Sequence, residues 1–148
     1  MLRITRQTDY AIVLLAHFAA APQGTVKNAP DLALEGHLPA PMVSKILKLL
    51  ARASLLHSHR GATGGYSLAR RPDEISVAQI VVALEGPIAM TECLTGEPGV
   101  CAIEHSCPSR PNWTRINHAI EAALTEVRLS DILPHASLAK LTPSGAGR

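Results

Sequence analysis

Apolar side chains recur at helical spacing in several stretches of the chain. The stripe in residues 8–21 predicts a first helix with Thr8 as its N-cap. A short helix is expected at residues 31–35. Residues 42–53 form another behind Pro41, a residue that suits the first turn of a helix. A short helix, a tight turn and a second helix is the order of a helix-turn-helix motif.

The pattern changes after this second helix. Residues 56–59 and 66–68 have the length and composition of two short strands, and the segment between them contains Gly61, Gly64 and Gly65. Glycine adopts the backbone conformations that a tight reversal of the chain needs. These features predict a small β-hairpin, which is the wing of a winged helix-turn-helix fold.

The second half of the chain has a helix predicted from residue 75 to 84 and a long one from 112 to about 130. The apolar stripe of the long helix packs either on its own domain or on a second copy. We favour the second copy, because helix-turn-helix proteins commonly bind paired half-sites as dimers. The sequence thus predicts a mainly α protein in four parts: a winged helix-turn-helix domain (1–90), a cysteine loop (91–111), a dimerisation helix (112–133) and a flexible tail (134–148).

Composition and charge narrow the class of protein. Apolar residues make up 47% of the chain but aromatic residues only 3%, which favours packed helices over a sheet sandwich. The net charge of +2 is uninformative, but no acidic residue lies between 36 and 72. The bases of that block are Lys45, Lys48, Arg52, Arg60, Arg70 and Arg71. Such a block predicts a nucleic-acid surface, with an ordinary solvated face as the alternative.

Six residues are candidates for contacts with a double-stranded DNA operator: Ser44, Lys45, Lys48, Arg52, Arg60 and Gly61. The N-terminal end of a recognition helix enters the major groove, where Lys45 reaches guanine O6 and N7. Lys48 and Arg52 lie further along and suit phosphate contacts. An arginine beside glycines at a wing tip suits a narrow minor groove.

Other classes of protein lack support in the sequence. The apolar stretch at residues 12–21 is too short to span a membrane and is not followed by an export cleavage pattern, so we expect a cytoplasmic protein without a membrane partner. A nucleophile elbow, a phosphate loop and a dinucleotide fingerprint are all missing. We therefore expect no enzymatic activity and no small-molecule substrate.

The three cysteines, Cys93, Cys101 and Cys107, are spaced C-x7-C-x5-C. An odd number in a reducing compartment argues against a structural disulfide set, whereas thiolates in one loop suit iron–sulfur or zinc ligation. Zinc would form a Cys3His site with His105, but the closely spaced cysteine pairs typical of structural zinc are missing, which favours iron–sulfur. Glu92, Glu97, Glu104 or another part of a dimer are the remaining sources of a fourth ligand.

Four segments resemble the iron–sulfur transcriptional regulators typified by IscR and NsrR: MLRITRQTDYA (1–11), VSKIL (43–47), RGATGGYSL (60–68) and ALEGP (83–87). The resemblance runs to about residue 133. Within the family the chain is most similar to regulators of the SUF iron–sulfur assembly system, on the segments TEC (91–93), CP (107–108), NW (112–113), RIN (115–117) and LSD (129–131).

This resemblance implies a homodimer with swapped C-terminal helices and a cluster held by Cys93, Cys101 and Cys107. In NsrR-like members an aspartate in the first helix of the other subunit is the fourth ligand, and Asp9 stands at that position. An acid in the first turn of a helix is also favourable with the helix dipole alone. Three thiolates with one oxygen favour a 4Fe–4S cluster over 2Fe–2S.

The chain departs from the family pattern at two points. Arg110 stands where IscR-type members have a histidine ligand, and the seven-residue gap between the first two cysteines resembles the iron-responsive RirA-type members. The expected function is a repressor of iron–sulfur assembly genes that senses cluster status. The alternatives are an iron- or nitric-oxide-responsive regulator of the same family and a zinc- or thiol-based redox regulator.

Overall fold

The computed structural model describes residues 3–132, so the tail predicted at 134–148 lies outside the described residues. The helices and strands follow one another as α1 (Arg6–Ala19), α2 (Ala29–Gly36), α3 (Ala40–Arg52), β1 (Leu56–His59), β2 (Gly65–Leu68), α4 (Val77–Glu85) and α5 (Arg110–Glu126). Single 3-10 turns lie at Pro72–Glu74 and Glu92–Leu94. The mainly helical winged fold with one small hairpin is therefore confirmed.

Helix α1 begins earlier than predicted. Its N-cap is Thr5, whose side-chain oxygen accepts a hydrogen bond from the backbone N–H of Thr8 at 3.3 Å. The assignment of Thr8 as N-cap is wrong, because an earlier hydroxyl satisfies the free amide of the first turn. Thr8 is instead buried, and its hydroxyl donates to Glu85 Oε1 at 2.6 Å. That bond joins the start of α1 to the end of α4.

One apolar core lies between α1, α2, α3 and α4, and the hairpin closes it at one end. The predicted inner face of α3 is fully buried, with no exposed area at Val43, Ile46, Leu47 and Leu50. The core is completed by Leu14, Leu15, Phe18, Leu32, Leu55, Leu56, Leu68, Ile75 and Ile80. Within residues 3–132 no helix is both long and apolar enough to cross a membrane.

The helix-turn-helix consists of α2 and α3. Asn28 caps α2 by accepting a hydrogen bond from the Asp31 backbone N–H at 2.8 Å. After Gly36 the chain turns through His37, which adopts a left-handed conformation with φ 53°. Helix α3 starts behind Pro39, which offers no side-chain cap, and its first turn contains no acid. The first turn of α3 thus contains no carboxylate that would offset the charge of Lys45.

The wing is an antiparallel pair in which Leu56 lies opposite Leu68 and His59 opposite Gly65. It is joined to the segment before α2, because the backbones of Lys27 and Tyr66 exchange two hydrogen bonds of 2.8 Å. Gly65 has φ +154°, and a Cβ atom there would overlap the Lys27 carbonyl. Only glycine allows this close approach.

The long helix predicted to residue 130 ends at Glu126. Val127 is extended, and its carbonyl accepts the Val77 N–H at 2.9 Å, while Leu129 donates to the Ile75 carbonyl at 2.8 Å. The prediction of one continuous helix is wrong because these bonds to the start of α4 carry Leu129 into the core, where it is fully buried. Residues 129–132 are helical again.

Candidate DNA-binding surface and cysteine loop

The outer face of α3 is a row of unpaired cations. Lys45, Lys48 and Arg52 are spaced three and four residues apart, which places them on one face of the helix. All three are exposed, and none forms an ion pair within residues 3–132. Ser44 is half-buried at the same end of the helix. This face has the charge that a phosphate backbone attracts.

The wing tip adds one more free cation. Arg60 is exposed and has no ion-pair partner within residues 3–132, and the following Gly61 has φ +102° with open space around it. Arg71, from the same acid-free block, differs because its guanidinium lies 2.6 Å from Asp73. Arg60 therefore has no counter-ion within residues 3–132, and neither does the half-buried Arg70, whereas Arg71 is paired.

Strand β1 carries residues that the charge pattern missed. His57, Ser58 and His59 are all exposed and immediately precede Arg60. The His59 ring lies in hydrogen-bond contact with the hydroxyl of Ser67, with Nε2 and Oγ 2.8 Å apart. Histidine is counted as neutral when formal charges are added along the sequence. These side chains are therefore recognised as candidates only from their exposure on the strand.

The three cysteines lie on one irregular segment between α4 and α5. Cys93 is in the 3-10 turn Glu92–Leu94, and its Sγ lies 3.2 Å from the Thr91 hydroxyl. All three thiols are free and half-buried. In the part of the chain that the structure describes, no three side chains of His, Cys, Asp or Glu converge on a metal-sized site. The fold therefore places the thiols on one loop without collecting them at one point.

Asp9 and His105, two of the predicted sources of a fourth ligand, have different surroundings. Asp9 is exposed in the first turn of α1, and its carboxylate makes no hydrogen bond or ion pair with any residue from 3 to 132. His105 is exposed at the rim of an open groove of about 580 Å³, which it shares with Cys107 and Arg110. The groove is thus lined by both His105 and Cys107, whereas Asp9 lies on α1, outside the cysteine loop.

A buried asparagine fixes the start of the cysteine loop to α5. The side-chain oxygen of Asn117 accepts the Met90 N–H and its amide donates to the Ile88 carbonyl, both at 2.9 Å. Asn117 is 7% exposed and is the buried residue of α5. The periodicity of the helix identifies its apolar stripe but not this buried polar contact. The signal in the sequence was a polar residue directly beside the stripe.

A carboxylate joins the end of α4 to the start of α1. Glu85 Oε1 accepts the backbone N–H of Thr5 at 2.8 Å and the hydroxyl of Thr8 at 2.6 Å. Partial burial raises the pKa of Glu85, but the hydrogen bonds from these two threonines outweigh it and hold the pKa below its ordinary value. Glu85 directly precedes the segment that leads to the cysteines.

Helix α5 has a large unpartnered apolar surface. Trp113 and Ile116 on α5 are 39% and 43% exposed, Val127 directly after the helix is 43% exposed, and Val82 on the adjacent α4 is 46% exposed. A groove of about 570 Å³ lies beside α5 and is lined by Ile4, Val81, Ile88, Ile120 and Leu124 among others. An exposed surface of this kind on a small domain is typical of a protein–protein interface.

Known proteins resemble the chain over nearly its whole length. A profile of the Rrf2 family, described as an iron-dependent transcriptional regulator, matches residues 4–135. The NsrR regulator of Geobacillus kaustophilus is 28% identical, over 99% of this chain and 100% of its own.

Two solved structures share the fold. CymR of B. subtilis, described as the global cysteine regulator of that organism, is 28% identical with a TM-score of 0.70, over 91% of this chain and 98% of its own. IscR of T. potens is 26% identical with a TM-score of 0.62, over 99% of this chain and 94% of its own. The similarity therefore covers both the helix-turn-helix and the cysteine loop.

Proposed function

The chain belongs to the Rrf2 family of DNA-binding transcriptional regulators, not to a family of enzymes, and on this premise we propose that it represses iron–sulfur assembly genes as a cluster-sensing homodimer. The observation that carries the proposal is the placement of three free thiols on the one loop between the helix-turn-helix domain and α5. A change in that loop reaches both the DNA-reading part and the surface proposed for dimerisation.

The donor chemistry of the loop fits an iron–sulfur cluster. Thiolates are the usual protein ligands of such clusters, and Cys93, Cys101 and Cys107 are neither in disulfides nor fully buried. Asp9 of a second copy is the proposed fourth ligand, because its carboxylate is exposed and has no partner within residues 3–132. Three thiolates and one oxygen favour 4Fe–4S over 2Fe–2S. Since the thiols do not converge in one chain, binding requires the loop to close.

A bound cluster supplies a group that oxygen, nitric oxide or iron shortage removes. The chain supplies the connections. Asn117 ties the start of the loop to α5, and Glu85 ties the end of α4 to α1. Closing the loop therefore acts on both ends of the helix-turn-helix domain and on the spacing of two copies of α3. Such a switch moves only as far as the cluster binds one arrangement better than the other.

DNA contacts are proposed for α3 and the wing. Ser44 and Lys45 would meet base edges in the major groove, and Lys48 and Arg52 the phosphates. Arg60 and Gly61 would enter the adjacent minor groove. The support is the exposure of all four cations and their lack of ion pairs within residues 3–132.

A second copy is the proposed partner of α5. Trp113 and Ile116 leave apolar area exposed that a monomer in water does not usually keep in one stripe. A dimer would cover this surface and place two copies of α3 against paired half-sites. Analytical ultracentrifugation tests this part, and a monomer at micromolar concentration would contradict it.

The first experiment is purification without oxygen, followed by a visible absorption spectrum and measurement of iron and zinc content. We expect a brown protein with thiolate-to-iron charge-transfer bands, iron and no zinc. Cys101→Ala should lose the bands and remain a folded dimer by circular dichroism and sedimentation. A colourless protein with stoichiometric zinc would overturn the cluster and indicate a structural metal.

Arg60 offers a sharp test of DNA binding. Arg60→Ala should weaken binding to the promoter of the regulated genes by about tenfold or more, because a hydrogen bond that involves a charged group contributes about 1.5–3 kcal/mol. Arg71→Ala is the matched control, since Arg71 is already paired with Asp73. Equal effects of the two variants, measured by fluorescence anisotropy at fixed salt, would argue that the wing tip makes no specific contact.

A thiol-based redox regulator is the second candidate. The observation that favours it is the similarity to CymR together with three free, half-buried thiols. In that case an aerobically purified, iron-free and zinc-free protein would bind the promoter, and mild peroxide would release it reversibly with a reductant. A cluster sensor would instead lack this response when its apo-protein is treated in the same way.

A further inference from the structure

An ion pair spans the second half of the cysteine loop. Glu104 Oε1 lies 3.1 Å from a terminal guanidinium nitrogen of Arg110, and Glu104 Oε2 accepts the Gly99 N–H at 3.3 Å. The Glu104 side chain is only 12% exposed and that of Arg110 39%. Both carboxylate oxygens therefore have partners in a loop that otherwise contains little regular structure.

Each partner of this pair is attached to a cysteine through the backbone. The N–H of Glu104 donates to the Cys101 carbonyl at 3.2 Å, and the N–H of Arg110 donates to the Cys107 carbonyl at 3.3 Å. Each of these cysteines thus begins a tight turn that ends in one member of the pair. The side-chain contact between Glu104 and Arg110 joins the two turns.

We propose that the Glu104–Arg110 pair is a positioning clasp that fixes the separation of Cys101 and Cys107 and so pre-organises two thiolate ligands. The proposal rests on the cluster-binding function proposed above. Arginine has no lone pair to offer a metal, so Arg110 acts only through the carboxylate that it holds. Groups that orient ligands in this way typically change metal affinity by about 10–100-fold.

The rival role for Glu104 is direct ligation. In the structure its two oxygens are already used by Arg110 and Gly99, so ligation would require both contacts to break. The clasp requires neither to break. The two roles differ in what they demand of Arg110, which is essential to a clasp and irrelevant to a ligand.

Cobalt titration of the full-length apo-protein without oxygen provides the test, because thiolate-to-cobalt bands report ligation by cysteine directly. We expect Glu104→Gln and Arg110→Gln each to weaken cobalt binding by about tenfold or more. The double variant should bind cobalt about as tightly as the single variant with the lower affinity, because the two side chains act as one unit. Glu126→Gln is the matched control, since Glu126 is an exposed carboxylate outside the cysteine loop and has no partner within residues 3–132.

Hydrogen exchange of the metal-free protein gives a second readout. The amides of Glu104 and Arg110 donate to the cysteine carbonyls, so breaking the clasp should speed their exchange without any metal present. A loss of affinity in Glu104→Gln alone would indicate a ligand and overturn the clasp. Unchanged affinity in both single variants, or additive losses in the double variant, would also overturn it.

The two proposals fail in different ways. A wild-type protein that binds cobalt through thiolate while the clasp variants behave like it would overturn only the clasp. A wild-type protein that shows no thiolate-to-cobalt bands and assembles no cluster would overturn the proposed cluster sensor, and with it this role for Glu104 and Arg110.

Discussion

The two halves of the molecule are held together by different kinds of interaction. In residues 6–85 the helices and the hairpin share one core, and every buried apolar residue of the described chain except Leu129 lies there. In residues 86–126 no apolar side chain is fully buried, and specific polar bonds hold the segment: Asn117 to the backbone of the loop, and Glu104 to Arg110. The first half is stabilised by full burial of apolar side chains, and the second by partial burial together with a few polar bonds.

This difference suits the proposed role of the cysteine loop as a sensor attached to a DNA-reading domain. Segments with few buried apolar contacts open at a low free-energy cost, whereas a packed core opens only with global unfolding. The cysteine loop can therefore change its arrangement while α3 and the wing keep their shape. Single substitutions placed in each half, and one where the halves meet, test that contrast.

Matched isoleucine truncations give the largest contrast. Ile46 is fully buried in the core and Ile103 is 58% exposed in the cysteine loop. Ile46→Ala should lower the free energy of unfolding by about 2–5 kcal/mol, because it removes buried methyl groups and leaves a cavity. Ile103→Ala should stay within about 0.5 kcal/mol of the wild type. Urea unfolding followed by circular dichroism measures both.

A comparable loss in the two isoleucine variants would break the comparison. It would mean that the loop folds together with the core and that Ile103 is covered in solution. The same measurement at two protein concentrations separates cover by a second copy from cover within one chain, because only the former makes stability depend on concentration.

The sequence predicts the first half better than the second, for a physical reason. Burial leaves a periodic record, so the spacing of Val43, Ile46, Leu47 and Leu50 is enough to identify the inner face of α3. The end of α5 has no such record, because the break at Val127 depends on distant backbone bonds to the start of α4. The cap of α1 failed at Thr8 since two threonines, three residues apart, both suit the role.

For the candidate site, residue type was predictable and placement was not. Three cysteines in one loop point to a metal or redox role, and the acid-free block points to DNA. The hydrogen bonds of Asn117 and the ion pair of Glu104 could not be predicted, because no periodic pattern in the sequence indicates which residues contact each other there. The relative positions of the three thiols depend on the path of an irregular loop, and such a path leaves no periodic signal in the sequence.

Replacing Asn117 should act on the second half with an intermediate effect. Asn117→Leu keeps the branched shape and the number of heavy atoms but leaves the Met90 N–H and the Ile88 carbonyl without their partner, at a cost of about 1–3 kcal/mol. Hydrogen exchange should therefore rise across residues 88–93 and stay unchanged in α3. Asn112→Leu is the control, because Asn112 is exposed and its side chain forms no hydrogen bond within residues 3–132.

An increase in exchange that spreads equally into α3 would contradict the separation of the two halves. It would place Asn117 in the same cooperative unit as the core. If Asn117→Leu loses cluster binding but keeps its affinity for the promoter, the comparison becomes sharper. One function would then be lost while the other is kept.

The smallest expected effect concerns Glu85, which lies where the two halves meet. Its pKa is held below the ordinary value of 4.5, so its contribution to stability is fully present above that pH and is lost as the pH falls through the lowered pKa. Because this carboxylate is largely exposed, the contribution is less than about 1 kcal/mol. Glu85→Gln should flatten the acid limb of a stability–pH curve below about pH 4.5, on the order of that amount. Glu126→Gln, which removes an exposed carboxylate without a partner in residues 3–132, should leave the acid limb unchanged. If the two variants have identical stability–pH curves, the bonds from Thr5 and Thr8 to Glu85 do not join α1 to α4 in solution. The segment that leads to the cysteine loop would then have no hydrogen bond to the first helix through Glu85.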